Sequence, residues 1–168
     1  DIAERYARAG FVALAPDLYH GNVTAEPDEA RKLAMGMDRD RAIKEIASSI
    51  RYLKAQSYVN GKVGTVGYCM GGGLSIAAAC NIEEVDASIS YYGGSPSDEE
   101  LTKVRVPVLG LYGGADGGVP VTVASALSEA LEKNGTPYDV HIYGGAPHAF
   151  FNDTRESYRE EAAKDSWE

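Results

Sequence analysis

Apolar residues along this chain follow two alternating patterns, short runs and helical spacing. Short runs rich in apolar residues, bounded by Gly, Pro or Asn, are typical of strands buried inside a parallel sheet. Runs of this kind predict strands at 11–15, 63–67, 87–91, 106–112 and 138–143. Polar residues dominate 95–103, which predicts a loop.

Stretches with helical spacing separate the predicted strands. Ile43, Ile46, Ala47, Ile50 and Leu53 recur at i, i+3, i+4, i+7 and i+10. This spacing predicts an amphipathic helix. Its N-cap is predicted at Asp38, whose short carboxylate side chain suits that position.

Further helices are predicted near 2–9, 70–80, 121–131 and from about 154 onward. Buried strands that alternate with helices indicate the α/β class, with a mostly parallel sheet and helices on both faces. We expect one domain over residues 1–168.

Composition and charge exclude several classes of protein. The 168 residues include 16 Lys and Arg against 25 Asp and Glu, a net charge of −9 with no basic cluster. Nucleic acids and anionic membranes are therefore unsuitable partners, whereas a small molecule is compatible. No apolar run is long enough to span a bilayer, and the first thirty residues lack the pattern of a signal peptide.

Cysteine and histidine usage predicts a cytoplasmic chain without a structural metal. Cys69 and Cys80 lie about 16 Å apart if both are on one helix, too far for a disulfide bond. Three histidines, with no CxxC or HxxxH pair, give no local zinc motif.

The segment from Gly67 to Gly72 reads GYCMGG between a predicted strand and a predicted helix. This context matches a nucleophile elbow, with Cys69 in the place of the usual serine. Glycines two residues on either side, Gly67 and Gly71, would avoid steric clashes in so sharp a turn. The backbone amide of Met70 and the helix start would favour a thiolate and an oxyanion. The alternative is an inert buried cysteine in a glycine-rich packing contact.

Nucleotide-binding templates do not fit these glycines. A dinucleotide fingerprint requires GxGxxG, and a P-loop requires Lys followed by Ser or Thr after its last glycine. Neither pattern is present at Gly67 to Gly72.

A base and an acid for this nucleophile are predicted later in the chain. His148 follows the last predicted strand, and Asp116 follows the strand before it, within Gly113-Gly114-Ala115-Asp116. The order nucleophile, acid, base is that of an α/β-hydrolase. For Asp116 the alternative is an Asx turn that stabilises its loop. His20 and His141 are interpreted as surface or structural residues.

These three residues predict an acyl-transfer mechanism. Cys69 would attack an acyl carbon, His148 would accept and return the proton, and Asp116 would orient and stabilise the imidazole.

Several segments resemble the dienelactone hydrolase family: FVALAPDL at 11–18, GYCMGGG at 67–73, Tyr91-Tyr92-Gly93, Gly113 to Asp116, and GAPHAFFND at 145–153. The resemblance extends essentially from end to end. It implies a three-layer α/β-hydrolase fold, a Cys69, Asp116 and His148 triad, small lactone or ester substrates, and no cofactor. It also implies that the N-terminal strands, with the second oxyanion donor, and the end of the last helix are absent from this sequence.

The resemblance also bears on substrate charge. Family members specialised for an anionic lactone hold its carboxylate with arginines, one of them shortly after the triad histidine. Asn152 stands there in this chain, so we expect weaker selection for an anionic substrate. Tyr91, Tyr92, Phe150 and Phe151 either line an apolar substrate pocket with Asn152 or pack in the core.

Two other functions remain open at the level of sequence. One is a different cysteine-dependent acyl-transfer enzyme, such as an amidase or thioesterase. The other is a non-catalytic homologue that retains the fold and binds a ligand.

Overall fold

The structure is a computed structural model that describes residues 2–168. It divides into two compact units, Asp1–Lys62 and Val63–Glu168, which are considered separately. Within residues 2–168, no helix combines the length and the apolar character needed to cross a bilayer.

The first unit contains three helices: α1 (Ile2–Arg8), α2 (Pro27–Met35) and α3 (Arg39–Lys54). Helix α3 confirms the predicted spacing, because Ala42, Ala47 and Ile50 are its buried residues. The predicted N-cap is also confirmed, since the Asp38 carboxylate accepts a hydrogen bond of 3.0 Å from the Arg41 amide.

Helix α2 was not predicted. It begins with a proline and has acidic residues in its first turn. None of its residues is buried.

The prediction of a strand at 11–15 is wrong. Residues 11–15 belong to no helix or strand, and Phe11, Val12 and Leu14 are 63%, 46% and 37% exposed. A strand is stabilised by backbone hydrogen bonds to a neighbouring strand. Within residues 2–168 no strand pairs with this segment. An apolar run therefore predicts that a segment prefers the strand conformation, but not that a neighbouring strand is present to pair with it.

The second unit contains a four-stranded parallel sheet in the order β1, β2, β3, β4. Its strands are β1 (Gly64–Tyr68), β2 (Ala87–Tyr91), β3 (Val108–Gly113) and β4 (Tyr138–Tyr143). Its helices are α4 (Met70–Asn81), α5 (Asp98–Leu101), α6 (Val121–Lys133) and α7 (Glu160–Asp165). The four strands predicted for this unit are confirmed to within two residues, and so are the helices at α4 and α6.

Two helices of this unit differ from prediction. Helix α5 lies in the predicted loop 95–103, where the Ser97 hydroxyl caps it by accepting from the Glu100 amide. The last helix begins at Glu160 rather than near Thr154, because the preceding residues form turns. One of these turns is held by Asn152, whose Oδ1 accepts from the Thr154 amide and hydroxyl.

Helical segments cover both faces of the sheet. On one face the Ser88 hydroxyl of β2 lies 2.9 Å from the Ser75 hydroxyl of α4. Tyr91 is an odd number of residues from Ser88 and points to the other face. There its hydroxyl donates to the Ser166 carbonyl directly after α7. Because the strands are parallel, the loops after all four reach one edge of the sheet, where α/β proteins bind ligands.

Candidate active site

Cys69 is the only residue between β1 and α4, and its backbone is strained. Its φ of 57° and ψ of −118° lie in a region that residues with a side chain rarely adopt. Backbone hydrogen bonds hold it there: its amide donates to the Tyr91 carbonyl at 3.0 Å, and its carbonyl accepts from the Gly72 amide at 3.0 Å. The side chain is exposed. This geometry is that of the predicted nucleophile elbow.

Glycines permit the elbow, although not both of those expected. A Cβ at Gly67 would overlap the backbone carbonyl of Gly71. A Cβ at Gly72 would lie 2.8 Å from both the Ser90 hydroxyl and the Tyr91 carbonyl. A Cβ at Gly71 would meet no atom within 4 Å, so the clash expected there is absent. The tight positions are therefore Gly67 and Gly72.

Met70 is the first residue of α4, directly after the nucleophile candidate. The first amides of a helix have no carbonyl partner within the helix. The Met70 amide is thus positioned at the positive end of the helix dipole, where a developing oxyanion is stabilised.

Asp116 lies in the loop after β3, and its carboxylate is held from two sides. Oδ1 accepts hydrogen bonds of 2.8 Å from the amides of Gly118 and Val119. Oδ2 lies 2.7 Å from Nδ1 of His148, and the side chain is completely buried. The Asx turn considered from sequence is thus present, and the same carboxylate also meets the histidine. The two amides were not predicted as part of the site, although the Gly117-Gly118 pair after Asp116 indicates a tight turn.

His148 lies in the loop after β4, which is bonded to the loop that carries Asp116. The Ala115 amide donates to the Ala146 carbonyl at 2.9 Å, and the Gly114 amide donates to the Tyr143 carbonyl at 2.7 Å. A Cβ at Gly113 would overlap the Ala146 carbonyl, so this close approach requires glycine. The two loops therefore hold Asp116 and His148 in a defined relation.

The contact with Asp116 also assigns the proton on the imidazole. An ionised carboxylate only accepts hydrogen bonds, so Nδ1–H of His148 is the donor. Nε2 then carries the lone pair, and the side chain is 33% exposed. In this arrangement Nε2 is free to accept a proton, which is the chemistry that a general base requires.

The other two histidines do not join this site. His141 of β4 is exposed and lies 3.1 Å from the Asp139 carboxylate. In the first unit, His20 lies 2.9 Å from the Glu45 carboxylate. Within residues 2–168, no group of three or more His, Cys, Asp or Glu side chains could hold a metal ion.

The aromatic pocket candidates are mostly packed in the interior. Phe150 and Tyr91 are 0% and 1% exposed. Phe151 is also buried, and its ring lies 4.8 Å from that of Tyr91. These contacts favour core packing, the alternative left open for these residues. Tyr92 is also buried, but its ring contacts His148 at a centroid distance of 5.1 Å.

Comparison with known proteins identifies the family. The model of the dienelactone hydrolase family matches residues 1–168. The carboxymethylenebutenolidase of Pseudomonas putida is 33% identical over 92% of this chain and 69% of its own length. Protein usf of Aquifex pyrophilus is 34% identical over 99% of this chain and 75% of its own length.

Comparison with solved structures leads to the same family. The crystal structure of a dienelactone hydrolase-like protein from Klebsiella pneumoniae matches with a TM-score of 0.90 and 26% identity, over 99% of this chain and 76% of that one. The fold is therefore that of an α/β-hydrolase. The chain belongs to the dienelactone hydrolase family, whose members are hydrolases of the lactone and ester type.

Proposed function

We propose that this chain hydrolyses small lactones or carboxylic esters through Cys69 as nucleophile, His148 as base and Asp116 as acid, without a cofactor. The observation that carries the proposal is the 2.7 Å contact between Asp116 and His148, made by a fully buried carboxylate. A buried carboxylate that binds a partly exposed imidazole gives a general base the orientation and charge stabilisation that it requires.

Chemistry would begin with transfer of the Cys69 thiol proton to Nε2 of His148, which leaves a thiolate beside an imidazolium. Cys69 Sγ attacks the acyl carbon and forms the S–C bond, while the carbonyl electrons move to oxygen. The amide of Met70 stabilises this oxyanion. As the C–O bond breaks, the alkoxide receives a proton from Nε2 of His148. In a lactone the leaving oxygen remains attached to the same molecule, so ring opening gives a thioester that carries a hydroxyl group.

Hydrolysis of the thioester would complete the cycle. His148 Nε2 accepts a proton from a water molecule, which attacks the acyl carbon. The C–S bond breaks, the carboxylic acid is released, and the imidazole and thiol return to their starting protonation states. Asp116 stays ionised throughout and stabilises the imidazolium that forms in each half of the reaction.

We propose that this chain selects less strongly for an anionic substrate than do family members specialised for the anionic lactone. Asn152 occupies the position at which arginine serves the anionic lactone, and its Oδ1 is already bonded to the Thr154 amide and hydroxyl. An amide supplies no charge to a carboxylate, whereas a bidentate arginine does. We also propose a cytoplasmic location, which agrees with the low cysteine content of two in 168 residues.

The decisive experiment compares dienelactone with a short neutral aryl ester, using wild type, Cys69→Ala and Cys80→Ala. Cys80 is buried on α4 and serves as the matched control. We expect ester turnover in wild type and Cys80→Ala, and loss of at least a thousandfold in Cys69→Ala, the scale on which losing a nucleophile acts. Full activity of Cys69→Ala would refute the triad.

The same three proteins, assayed also on aryl amides and acyl thioesters, separate the other functions. Turnover of aryl amides or acyl thioesters well above that of the ester would indicate a different acyl-transfer enzyme. Binding of ester or lactone by wild type and Cys69→Ala alike, without turnover in either, would indicate a non-catalytic homologue.

A further inference from the structure

Tyr92 has a strained backbone that the elbow does not explain. It follows β2 directly and adopts a φ of 40°, although it is a bulky residue. Conformations of this kind cost about 1–3 kcal/mol and persist where the surrounding structure imposes them. Here the Tyr92 amide donates to the Leu111 carbonyl of β3 at 2.8 Å, and the preceding carbonyl, of Tyr91, accepts from the Cys69 amide. These hydrogen bonds fix the backbone of Tyr92 directly after Tyr91, the residue that is bonded to the Cys69 amide.

The ring of Tyr92 packs against the imidazole of His148. The two ring centroids are 5.1 Å apart, with an angle of 60° between the planes. On its other sides Tyr92 contacts Phe150 at 5.3 Å and Tyr91 at 6.1 Å. Tyr92 is 3% exposed, so its ring has no room to move away from His148.

A single hydrogen bond leaves the imidazole one freedom of motion. The contact between Nδ1 and Asp116 fixes one atom of the ring, but the ring can still rock about the line that joins the two atoms. Such rocking would change the direction in which Nε2 points. A rigid aromatic ring against the imidazole removes this motion, because aromatic pairs prefer edge-to-face contact.

Electrostatics gives a second sign that Tyr92 lies near the nucleophile. Burial and the negative charge of the Cys69 thiolate raise the pKa of the Tyr92 hydroxyl well above its usual value. A phenol is uncharged at neutral pH even at its ordinary pKa of about 10, so the ring packs against the imidazole without adding a charge.

We propose that Tyr92 is a positioning residue for the proposed triad: its ring holds the imidazole of His148 so that Nε2 faces Cys69. The hydroxyl is not required for this role. This inference rests on the proposed function, because the position of His148 matters only if it serves Cys69.

The test compares Tyr92→Phe, which keeps the ring, with Tyr92→Leu, which removes it. We expect Tyr92→Phe to retain kcat within about threefold. Tyr92→Leu should lose about 10- to 100-fold in kcat on the neutral ester with little change in KM, the scale expected for a misplaced catalytic group. Equal losses in both variants would assign the effect to the hydroxyl and overturn the proposal, and so would wild-type kcat in Tyr92→Leu.

A second measurement is independent of turnover. The pH profile of Cys69 alkylation by iodoacetamide, followed by mass spectrometry, reports how the imidazole acts on the thiol. We expect wild type and Tyr92→Phe to coincide, and Tyr92→Leu to shift toward the profile of His148→Ala. A Tyr92→Leu profile that coincides with wild type would contradict the positioning role.

A destabilised control excludes a merely structural effect. Leu131→Ala, in the buried face of α6, should lower the free energy of unfolding while leaving kcat and the alkylation profile unchanged. If Leu131→Ala reproduces the Tyr92→Leu profile, the ring has no specific role. Activity in Cys69→Ala would refute the proposed function itself, whereas inactivity of Cys69→Ala with a wild-type Tyr92→Leu would refute only this inference.

Discussion

The turns that present Cys69 and Asp116 both contain glycine, yet they are held in different ways. The elbow is determined by steric contacts. A Cβ at Gly67 would overlap the Gly71 carbonyl, and Cys69 has a strained φ of 57°. The loop after β3 that carries Asp116, called the acid loop below, is held by hydrogen bonds. The Asp116 carboxylate accepts from two amides and is bonded to His148. Added atoms should therefore disrupt the elbow, whereas a change of hydrogen-bonding groups should disrupt the acid loop.

The largest effect is expected at the elbow. Gly67→Ala places a methyl group on backbone atoms of the next turn, which have no easy way to move. We expect a loss of more than about 4 kcal/mol in the free energy of unfolding, or no folded protein. Gly71→Ala is the matched control: its Cβ meets nothing within 4 Å, so urea unfolding should stay within about 1 kcal/mol of wild type. Equal losses in the two variants would contradict the steric explanation.

The acid loop should respond in activity more than in stability. In Asp116→Asn, Oδ1 can still accept from Gly118 and Val119, which turns the amide nitrogen toward His148. The imidazole must then accept at Nδ1 and carry its proton on Nε2, so the base is lost. We expect kcat on the neutral ester to fall roughly 10²- to 10⁴-fold. Asp139→Asn, beside exposed His141, should retain full activity. An Asp116→Asn enzyme within threefold of wild type would refute the assignment of the acid.

An intermediate effect is expected at Tyr112, in the strand that leads to the acid loop. Burial raises the pKa of Tyr112 from 10 to about 12, an effect partly offset by the nearby Ser90 hydroxyl. Within residues 2–168, neither the Tyr112 hydroxyl nor the Ser90 hydroxyl makes a hydrogen bond of standard distance and angle. Because the folded state retains the proton more tightly than the unfolded state, this contribution is complete below pH 10. It is lost as the pH rises from 10 to 12, by about 3 kcal/mol at most.

Urea unfolding at pH 9 and pH 11 tests this expectation. Tyr112→Phe should lose less stability than wild type between the two pH values, whereas Tyr138→Phe, at an exposed tyrosine, should behave as wild type. Parallel loss in wild type and Tyr112→Phe would show that this hydroxyl does not titrate as described.

The smallest effect is expected at Asn152, beyond the loop that carries His148. Asn152→Ala removes two hydrogen bonds of a surface turn, so the free energy of unfolding should fall by about 1 kcal/mol. KM for the neutral ester should change less than threefold. A tenfold rise in KM without loss of stability would instead make Asn152 a substrate-binding residue.

Local pattern in the sequence predicts much of the second unit. The four strands β1 to β4 carry their own apolar runs, and the order of Cys69, Asp116 and His148 places each at the same edge of a parallel sheet. The hydrogen bond between Asp116 and His148 follows from that topology, although the sequence alone does not assign its geometry.

What the sequence does not predict depends on contacts between distant residues. The strand predicted at 11–15 would require a partner, and no local pattern reports whether one pairs with it. The tightness of Gly72, rather than Gly71, depends on Ser90 and Tyr91 of β2. The packing of Phe150 and Tyr91 in the interior likewise depends on how the segment after β4 returns to the sheet.

Cys69 is exposed whereas Cys80 is buried, so the reactivity of the two thiols can be followed optically to report on folding. A chromogenic disulfide reagent should react with one thiol per native chain and with a second only after denaturation. The thiol that reacts only after denaturation would count the folded chains, because an unfolded chain exposes both thiols at once. Rate constants could then be expressed per competent site rather than per milligram of protein.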